Sequence, residues 1–312
     1  MANGALLFQS IGYPLELWTP HLARLRPDLD VRTEDNPGRA DEIHYCIAWK
    51  PKPGSLAALP ALKVVFSMGA GVDAIVADAT YPRHVPLSRV VDPTLSQSMT
   101  EYVVMNVLYW HRRMHDLQSL QRLRKWRQIA SPRAEQVRVG ILGFGVLGQA
   151  AATALKALNY RLSGWSQTPK QAPGVTTFHG SEGLEPFLRQ ADILVCLLPL
   201  TPGTHGILDA RLFASLPPGA CVINAARGGH LVEDDLIRAL DKGHLRGATL
   251  DVFATEPLPE TNPLWVHPKV VVTPHSAAAT DPAAFMAHVA RTITRVDEGL
   301  PPENLVDFTR GY

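Results

Sequence analysis

The stretch VRVGILGFGVLGQAAATAL, residues 137–155, decides the fold of this chain. Gly143, Gly145 and Gly148 stand in G-x-G-x-x-G spacing, after an apolar strand-like run and before a helical pattern. In such a turn the first glycine allows the tight bend, the second lets a pyrophosphate approach the backbone, and the third permits close helix–strand packing. The N–H groups and dipole of the helix then attract the phosphates. Because another strand-like run, RLSGWS, follows, the pattern predicts a dinucleotide-binding βαβ unit.

Strand-like runs alternate with helical patterns along the whole chain. The runs are ALLFQ, HYCIAW, KVVFSMG, VRVGILGFG, RLSGWS, DILVCLLP, ACVINAA, GATLDVF and KVVVTPH. Several are apolar on both faces, which is typical of a parallel sheet covered by helices. Helices are predicted over residues 147–158, 184–189, 209–214, 233–243 and 282–299. The alternation predicts a doubly wound α/β architecture.

The length of 312 residues and the order of these elements favour two domains. A long helical pattern covers residues 100–117, a polar and basic stretch follows to Gln136, and a new strand begins at Val137. The cofactor domain is therefore predicted over 99–280. Residues 1–98 with 281–312 form the other domain, to which the last helix returns. A cleft between the two would be the natural place for a ligand.

Composition and charge exclude several classes of function. The net charge of +1 gives no global attraction to nucleic acid or an anionic membrane, and the basic stretch at 122–127 lacks a nucleic-acid motif. No apolar run approaches a membrane span, and the N-terminus does not have the pattern of a signal peptide. The three cysteines are expected to be buried, reduced thiols, so a cytoplasmic location is predicted.

Metal binding is not predicted, because the histidines other than His111 and His115 form no H-x₃-H pair and no Cys/His cluster. His111 and His115 have the i, i+4 spacing of a helical metal pair. Their basic neighbours favour a solvated or interface face instead. His230 and the other scattered histidines have no catalytic context in the sequence.

The choice of cofactor depends on the end of the strand RLSGWS. Enzymes that use NAD commonly place a carboxylate there for the ribose 2′-hydroxyl. In this chain the position is occupied by Trp165, Ser166, Gln167 and Thr168, with Lys170 close by. Hydroxyls, an amide and a lysine can donate to a 2′-phosphate. NADPH is therefore the predicted cofactor, with NADH possible.

One arginine, one glutamate and one histidine follow successive predicted strands. Arg227 lies in INAARGGH, Glu256 in LDVFATEP and His275 in VVVTPHS, each at the sheet edge where α/β proteins present ligands. Arg227 can hold the carboxylate or keto oxygen of a 2-keto acid. Histidine titrates near neutral pH, so His275 is the candidate proton donor. Glu256 would orient the imidazole and favour its protonated form.

These motifs and their order resemble the D-isomer-specific 2-hydroxyacid dehydrogenase family, in particular its glyoxylate/hydroxypyruvate reductase A branch. The resemblance covers nearly the whole chain. It rests on GAGVD at 69–73, EY at 101–102, ILGFGVLG at 141–148, WSQTPK at 165–170, LLPLTPGTHGIL, NAARGGH, LDVFATEPLP, PLW, TPHSAA and the terminal RGY. Members of this branch often carry Arg after the WS, where this chain has Gln167.

The resemblance implies two Rossmann-like parallel-sheet domains, a flavodoxin-like substrate domain and an NAD(P)-binding domain. It assigns the catalytic roles to Arg227, Glu256 and His275, and a nicotinamide contact to Asp251. It also implies a homodimer, formed through the helix at 100–117 and the segment after it. In that segment Trp126 is hypothesised to reach toward the partner's cleft. The remaining residues expected to contact the cofactor are Val146, Leu147, Leu198, Pro199, Ala225, Ala226 and Ser276.

A substrate-carboxylate loop is implied in the first domain, and SMGAGVD at 67–73 follows a strand there. Its glycines let the amides of Ala70, Gly71 and Val72 point at an anion. Trp49 either walls the pocket or simply packs.

The predicted function is NADPH-preferring reduction of glyoxylate and hydroxypyruvate to glycolate and D-glycerate. Two alternatives stay open. The same chemistry could act on bulkier 2-keto acids, or the chain could be a catalytically silent dinucleotide-sensing protein.

Overall fold

The computed structural model describes residues 4–10, 15–69 and 71–309. The chain divides into two compact units, Met1–Leu95 with Thr280–Tyr312, and Ser96–Ala279. In the description that follows, strands and helices are numbered along the chain.

The first unit contains a five-stranded, entirely parallel sheet with the order β2-β1-β3-β4-β5. Its strands are β1 (Ala5–Ser10), β2 (Val31–Thr33), β3 (Ile43–Trp49), β4 (Val64–Ser67) and β5 (Leu87–Arg89). Its helices are α1 (Thr19–Leu25), α2 (Asp73–Val76) and α9 (Pro282–Asp297). This is the flavodoxin-like order, as predicted.

The second unit contains a seven-stranded parallel sheet with the order β12-β11-β10-β9-β6-β7-β8. Its strands are β6 (Arg138–Leu142), β7 (Arg161–Ser166), β8 (Val175–His179), β9 (Ile193–Cys196), β10 (Ala220–Asn224), β11 (Leu245–Leu250) and β12 (Val270–Val272). Most of helix α3 (Pro93–His111) belongs to this unit. The helices that follow it are α4 (Met114–Arg122), α5 (Val146–Ala157), α6 (Gly180–Leu188), α7 (Ala210–Ser215) and α8 (Glu233–Asp241). Chain order reverses between β6 and β9, and such a switch point is where doubly wound sheets bind ligands.

Three strands that the apolar pattern does not indicate are all at sheet edges. They are β2, β5 and β8. Two of them have only three residues, and β8, VTTFH, has no fully buried position. An edge strand pairs on one side only and needs no continuous apolar run, so its sequence carries a weak signal.

The single helix predicted over residues 100–117 is wrong, because the helical pattern is divided. Helix α3 (Pro93–His111) ends before Arg113, which has a φ of 61°, and α4 begins at Met114. His111 and His115 therefore do not share one helix. The His111 ring is buried rather than solvated, with its nitrogens 2.6 Å from the Tyr160 hydroxyl and 2.8 Å from the Pro132 carbonyl.

Within the described part of the chain, no helix combines the length and apolar character needed to cross a membrane. Among the same residues, no three His, Cys, Asp or Glu side chains gather where a metal ion could be held.

Candidate active site

The glycine-rich turn joins β6 to α5 at the switch point of the second sheet. Gly143 has a φ of 109°, and a Cβ there would lie 2.5 Å from the Leu197 carbonyl carbon. A Cβ on Gly148 would lie 2.4 Å from the Gly143 carbonyl oxygen. A side chain at either position would therefore collide with backbone, in one case the loop after β9 and in the other the turn itself. These are the close approaches that the spacing predicts.

Gly145 is different, since a Cβ there would meet no described atom within 4 Å. It caps the N-terminus of α5 and is exposed, as is Val146 after it. Open space in front of the first N–H groups of a helix suits an anionic group. The turn therefore fits the pyrophosphate of a dinucleotide, with Leu147 and Gly148 in the first turn of the helix.

The end of β7 holds the residues that bear on cofactor choice. The indole of Trp165 is buried in the core and donates from Nε1 to the Gly180 carbonyl at 2.9 Å. Gln167, Thr168 and Lys170 are exposed. The Ser166 hydroxyl donates to the Thr168 carbonyl at 2.8 Å, which shapes the loop. Trp165 thus faces the core, while the polar residues after it present hydroxyl, amide and ammonium groups.

Arg227 follows β10 on a loop fixed by Asn224. The buried Asn224 amide donates to the Arg227 carbonyl at 3.1 Å and accepts from the Ala226 backbone N–H at 3.2 Å. The guanidinium is half-buried and donates from Nη1 to the Ala226 carbonyl at 2.7 Å. Ala225 and Ala226 are buried beneath it. The loop thus holds a partly exposed cation at the carboxyl edge of the sheet.

His275 and Glu256 form the predicted pair. The imidazole Nδ1 lies 2.8 Å from Glu256 Oε2, and the side chains are 27% and 19% exposed. The other carboxylate oxygen accepts the Phe253 backbone N–H at 3.1 Å, which fixes the orientation of the carboxylate. With Nδ1 committed to Glu256, a proton given to a substrate would come from Nε2.

Backbone geometry also holds His275 in place. Its φ of 53° lies in the left-handed region, a conformation that non-glycine residues keep only when their surroundings enforce it. Its N–H lies 2.8 Å from the Asp251 carbonyl. The strained loop and the hydrogen-bonded carboxylate together fix the direction of the imidazole.

The buried Asp251 carboxylate organises that loop. It is 1% exposed, and it accepts the backbone N–H groups of Ser276 and Ala277 at 2.9 Å each. It also accepts the Thr273 hydroxyl at 2.6 Å, and the Tyr102 hydroxyl lies 2.7 Å from that same Thr273 oxygen. Asp251 is the residue expected at the nicotinamide, and these bonds give it a second task within the protein.

Sequence reasoning missed three residues around this site: Tyr102, Asn224 and His230. Tyr102 belongs to the EY motif but carries no evident chemistry in the sequence. Asn224 is the last residue of an apolar strand, and a polar residue there is a signal that could have been used. His230 is fully buried between site loops, although its sequence context gives no such indication.

The loop at 67–73 lies in the first unit. The Ser67 hydroxyl is 3.1 Å from the Gly69 carbonyl and 3.3 Å from the Gly71 carbonyl, which holds the loop in a tight curve. Val72 is buried, Gly71 is half-buried, and Ala70 lies outside the described residues. A Cβ on Gly69 would lie 2.4 Å from the Trp49 ring, so Trp49 packs directly on this loop.

The chain is similar to known 2-hydroxyacid dehydrogenases. A model of the D-isomer specific 2-hydroxyacid dehydrogenase NAD-binding domain matches residues 104–277. Glyoxylate/hydroxypyruvate reductase A of Serratia proteamaculans is 43% identical over 312 residues, covering 98% of this chain and 99% of the relative.

Two solved structures are similar over nearly the full length. A D-isomer specific 2-hydroxyacid dehydrogenase from Xanthobacter autotrophicus, in complex with NADPH and MES, has a TM-score of 0.93 and 43% identity, covering 100% of both chains. An NADPH-dependent glyoxylate/hydroxypyruvate reductase from Sinorhizobium meliloti, with NADP and sulfate, has a TM-score of 0.91 and 41% identity, covering 99% of this chain and 100% of the other.

Proposed function

The chain belongs to the D-isomer specific 2-hydroxyacid dehydrogenase family, and from this membership we propose that it reduces glyoxylate and hydroxypyruvate to glycolate and D-glycerate with NADPH. The observation that carries the proposal is the His275–Glu256 pair, with 2.8 Å between Nδ1 and Oε2, on the same sheet edge as Arg227. Relatives that share this chain's full length are glyoxylate/hydroxypyruvate reductases.

NADPH would be held by the turn at 143–148 and by the loop after β7. When bound, the cofactor supplies the hydride. Ser166, Gln167, Thr168 and Lys170 would serve the 2′-phosphate, and their polar, partly cationic character supports a preference for NADPH over NADH. The similar proteins solved with NADPH or NADP support the same preference. Leu198, Pro199, Ala225, Ala226 and Ser276 are proposed to complete the cofactor site.

The reaction requires an anchored carboxylate and a proton for the forming alkoxide. Arg227 would bind the substrate carboxylate or keto oxygen through its planar, permanently charged fork. His275 would deliver the proton from Nε2. Glu256 would keep the imidazole oriented and stabilise its cationic form through Nδ1. These residues serve both directions of the reaction, so the reductive direction follows from the proposed use of NADPH.

The proposal is tested by following NADPH absorbance with glyoxylate, hydroxypyruvate, pyruvate and phenylpyruvate, and by repeating the best reaction with NADH. We expect rapid oxidation with glyoxylate or hydroxypyruvate and slower turnover with NADH. Turnover only with phenylpyruvate would keep the chemistry and move the substrate to bulky keto acids. Tight NADPH binding without turnover of any substrate would instead favour a sensing protein.

The loop at 67–73 is proposed to offer the amides of Gly71 and Val72 to an anion, with Trp49 beside it. On this assignment residues 1–98 with 281–312 form the substrate domain, and 99–280 the cofactor domain. A Gly71→Pro variant should raise KM for glyoxylate and leave the Kd for NADPH unchanged. A changed NADPH Kd with an unchanged KM would contradict this assignment.

A homodimer is proposed through α3, α4 and the segment that follows. Large apolar side chains are exposed along this part of the chain: Met105, Met114, Leu123 and the fully exposed Trp126. Large apolar side chains exposed on one surface are typical of interfaces, and we propose that these four contribute to one. Light scattering should give a dimer mass, and Trp126→Ala should weaken dimerisation or raise KM. If both stay unchanged, Trp126 has no role at an interface.

We also propose a cytoplasmic location. Cys46, Cys196 and Cys221 are free and buried, as expected of a protein kept in a reducing compartment.

A further inference from the structure

The short 3₁₀ helix Gly228–His230 directly follows Arg227, and its first residue packs against the loop that carries Glu256. A Cβ on Gly228 would lie 1.8 Å from the Phe253 carbonyl carbon, far inside van der Waals contact. Only a glycine lets the two backbones approach this closely. The helix after the candidate substrate-binding arginine is thereby held against the loop of the histidine's partner.

The other two residues of this helix contact the loop that follows β9. A Cβ on Gly229 would lie 2.9 Å from a methyl group of Leu200, and the Gly229 carbonyl accepts the Gly206 N–H at 2.8 Å. His230 reaches the same loop with its ring, since Nε2 lies 3.2 Å from the Pro199 carbonyl oxygen. The helix therefore lies between two loops of the candidate site.

The His230 ring is a bridge between loops. It is 0% exposed, and its Nδ1 lies 3.1 Å from the Arg227 carbonyl oxygen while Nε2 faces Pro199. Whichever nitrogen carries the hydrogen, the ring donates to one of the two loops, and a protonated ring donates to both. Because His230 itself belongs to the Arg227 loop, only a hydrogen on Nε2 makes a bond from that loop to the Pro199 loop.

The other hydrogen bonds to the Arg227 and Pro199 carbonyl oxygens indicate which of the two ring nitrogens of His230 makes the more important bond. The Arg227 oxygen already receives the Asn224 side-chain amide at 3.1 Å and the His230 backbone N–H at 3.2 Å. A carbonyl oxygen has two lone pairs, so a third donor adds little there. The Pro199 oxygen accepts the Thr204 hydroxyl at 2.7 Å, which leaves it a second lone pair for Nε2–H.

We propose that His230 is a positioning residue, whose Nε2–H bond to the Pro199 carbonyl fixes the position of the loop after β9 relative to Arg227. The inference rests on the proposed function. Leu198 and Pro199 are proposed to contact the cofactor and Arg227 the substrate, so on this assignment the ring would hold the binding groups of the two reactants at a fixed separation. Small misplacements of reacting groups have large kinetic effects.

The experiment compares His230→Ala, His230→Gln and His230→Asn. The glutamine amide nitrogen can take the place of imidazole Nε2, and the asparagine amide nitrogen that of Nδ1. We measure the NADPH Kd by fluorescence titration, kcat per NADPH-binding site, and the isotope effect on kcat with NADPH deuterated at the transferred position. For the alanine variant we expect kcat to fall by about tenfold to a hundredfold, a higher isotope effect and a weaker NADPH Kd. Glutamine should restore most of all three, and asparagine should resemble alanine.

The matched control is His288→Gln, the same substitution at another buried histidine, in the other unit, which should leave all three quantities unchanged. If His230→Ala only lowers the melting temperature, with unchanged Kd, kcat per site and isotope effect, the ring is merely structural and the proposal is overturned. Rescue by asparagine but not glutamine would overturn the assignment to Nε2. If the wild type reduces no 2-keto acid, the proposed function fails, but the NADPH Kd values still test the role of His230. Equal Kd values in all variants would refute a link between His230 and the cofactor loop. Weaker NADPH binding in His230→Ala, restored in His230→Gln, would support it.

Discussion

Among the residues that the structure describes, two histidine–glutamate pairs differ in what surrounds the imidazole. In the first, His275 Nδ1 lies 2.8 Å from Glu256, and the ring is 27% exposed. In the second, His288 Nδ1 lies 3.5 Å from Glu303, and the ring is only 8% exposed. Nε2 of His288 lies 2.9 Å from the Ser88 hydroxyl, which itself donates to the Glu303 carbonyl at 2.7 Å.

The second constellation combines serine, histidine and glutamate, as in a hydrolytic triad, yet its environment is that of a core. Ser88 is fully buried on β5, and its hydrogen is used by a backbone carbonyl. Its bonds help to hold the C-terminal segment against β5. Two backbone hydrogen bonds join the same parts of the chain, since the Val306 N–H donates to the Leu87 carbonyl and the Arg89 N–H donates to the Asn304 carbonyl. The comparison teaches that a residue set indicates chemistry only when its reactive atom can meet a substrate.

The largest expected effect separates the two pairs directly. His275→Gln should lower kcat by about a hundredfold or more, because the proton donor is lost while the loop can still form. His288→Gln should leave kcat within about twofold, since that ring only fastens structure. Steady-state assays with glyoxylate or hydroxypyruvate at saturating NADPH measure both. Equal losses in the two variants would abolish the distinction.

The next effect tests why a carboxylate is needed beside His275. Glu256 uses one oxygen for the Phe253 N–H and the other for the imidazole Nδ1. Glutamine offers one acceptor oxygen and turns an NH₂ group toward another donor, so it cannot serve both. We expect Glu256→Gln to lower kcat by about tenfold to a hundredfold, with an unchanged NADPH Kd by fluorescence.

A matched control for that variant is Glu303→Gln in the second pair, which should not affect turnover. The distinction fails if Glu256→Gln keeps wild-type kcat, since Glu256 would then be dispensable for orienting the imidazole.

Burial makes the second pair sensitive to pH in a predictable direction. Burial lowers the pKa of His288, and Arg291 adds to this effect, while Glu303 opposes it. The folded pKa then lies below the unfolded value of about 6.5, so the unfolded chain binds the proton first as pH falls. The stability contribution of the neutral ring is present above pH 6.5 and is lost as pH falls toward the folded pKa.

The measurement is the free energy of unfolding in urea at pH 7.5, 6.5 and 5.5 for wild type and His288→Gln. Because the folded pKa lies below the unfolded one, we expect the wild type to lose stability more steeply than His288→Gln as pH falls. Both proteins contain the same other histidines, so the difference between the two curves isolates His288. Parallel curves would mean that the His288 ring titrates alike in the folded and unfolded chain.

The sequence predicts most of this comparison for the first pair and none of it for the second. Arg227, Glu256 and His275 follow apolar strands, and parallel strands bring such residues to one edge. The alternating pattern predicts doubly wound parallel sheets, and the resemblance to the family implies the flavodoxin-like order of the first one. Ser88, by contrast, stands in an edge strand of three residues, far along the chain from His288. Contacts between distant segments that only packing brings together leave no periodic signal, and His230 is invisible for the same reason.

The smallest expected effect concerns how firmly the loop of His275 is held. The Thr273 hydroxyl donates to Asp251, so the Tyr102 hydroxyl must be the donor in its 2.7 Å contact with Thr273. Burial raises the pKa of Tyr102, which keeps that hydroxyl protonated under assay conditions. Tyr102→Phe removes one buried hydrogen bond and should cost about 1 kcal/mol of unfolding free energy. Because Asp251 also accepts the Ser276 and Ala277 N–H groups, the loop should stay in place and kcat should fall by less than about threefold.

Tyr81→Phe removes a comparable buried bond to the Val85 carbonyl in the other unit, and should cost similar stability with no change in kcat. A loss of kcat as large as that of Glu256→Gln would show that the strained His275 backbone depends on Tyr102, and that the active pair is held as rigidly from α3 as from its own loop.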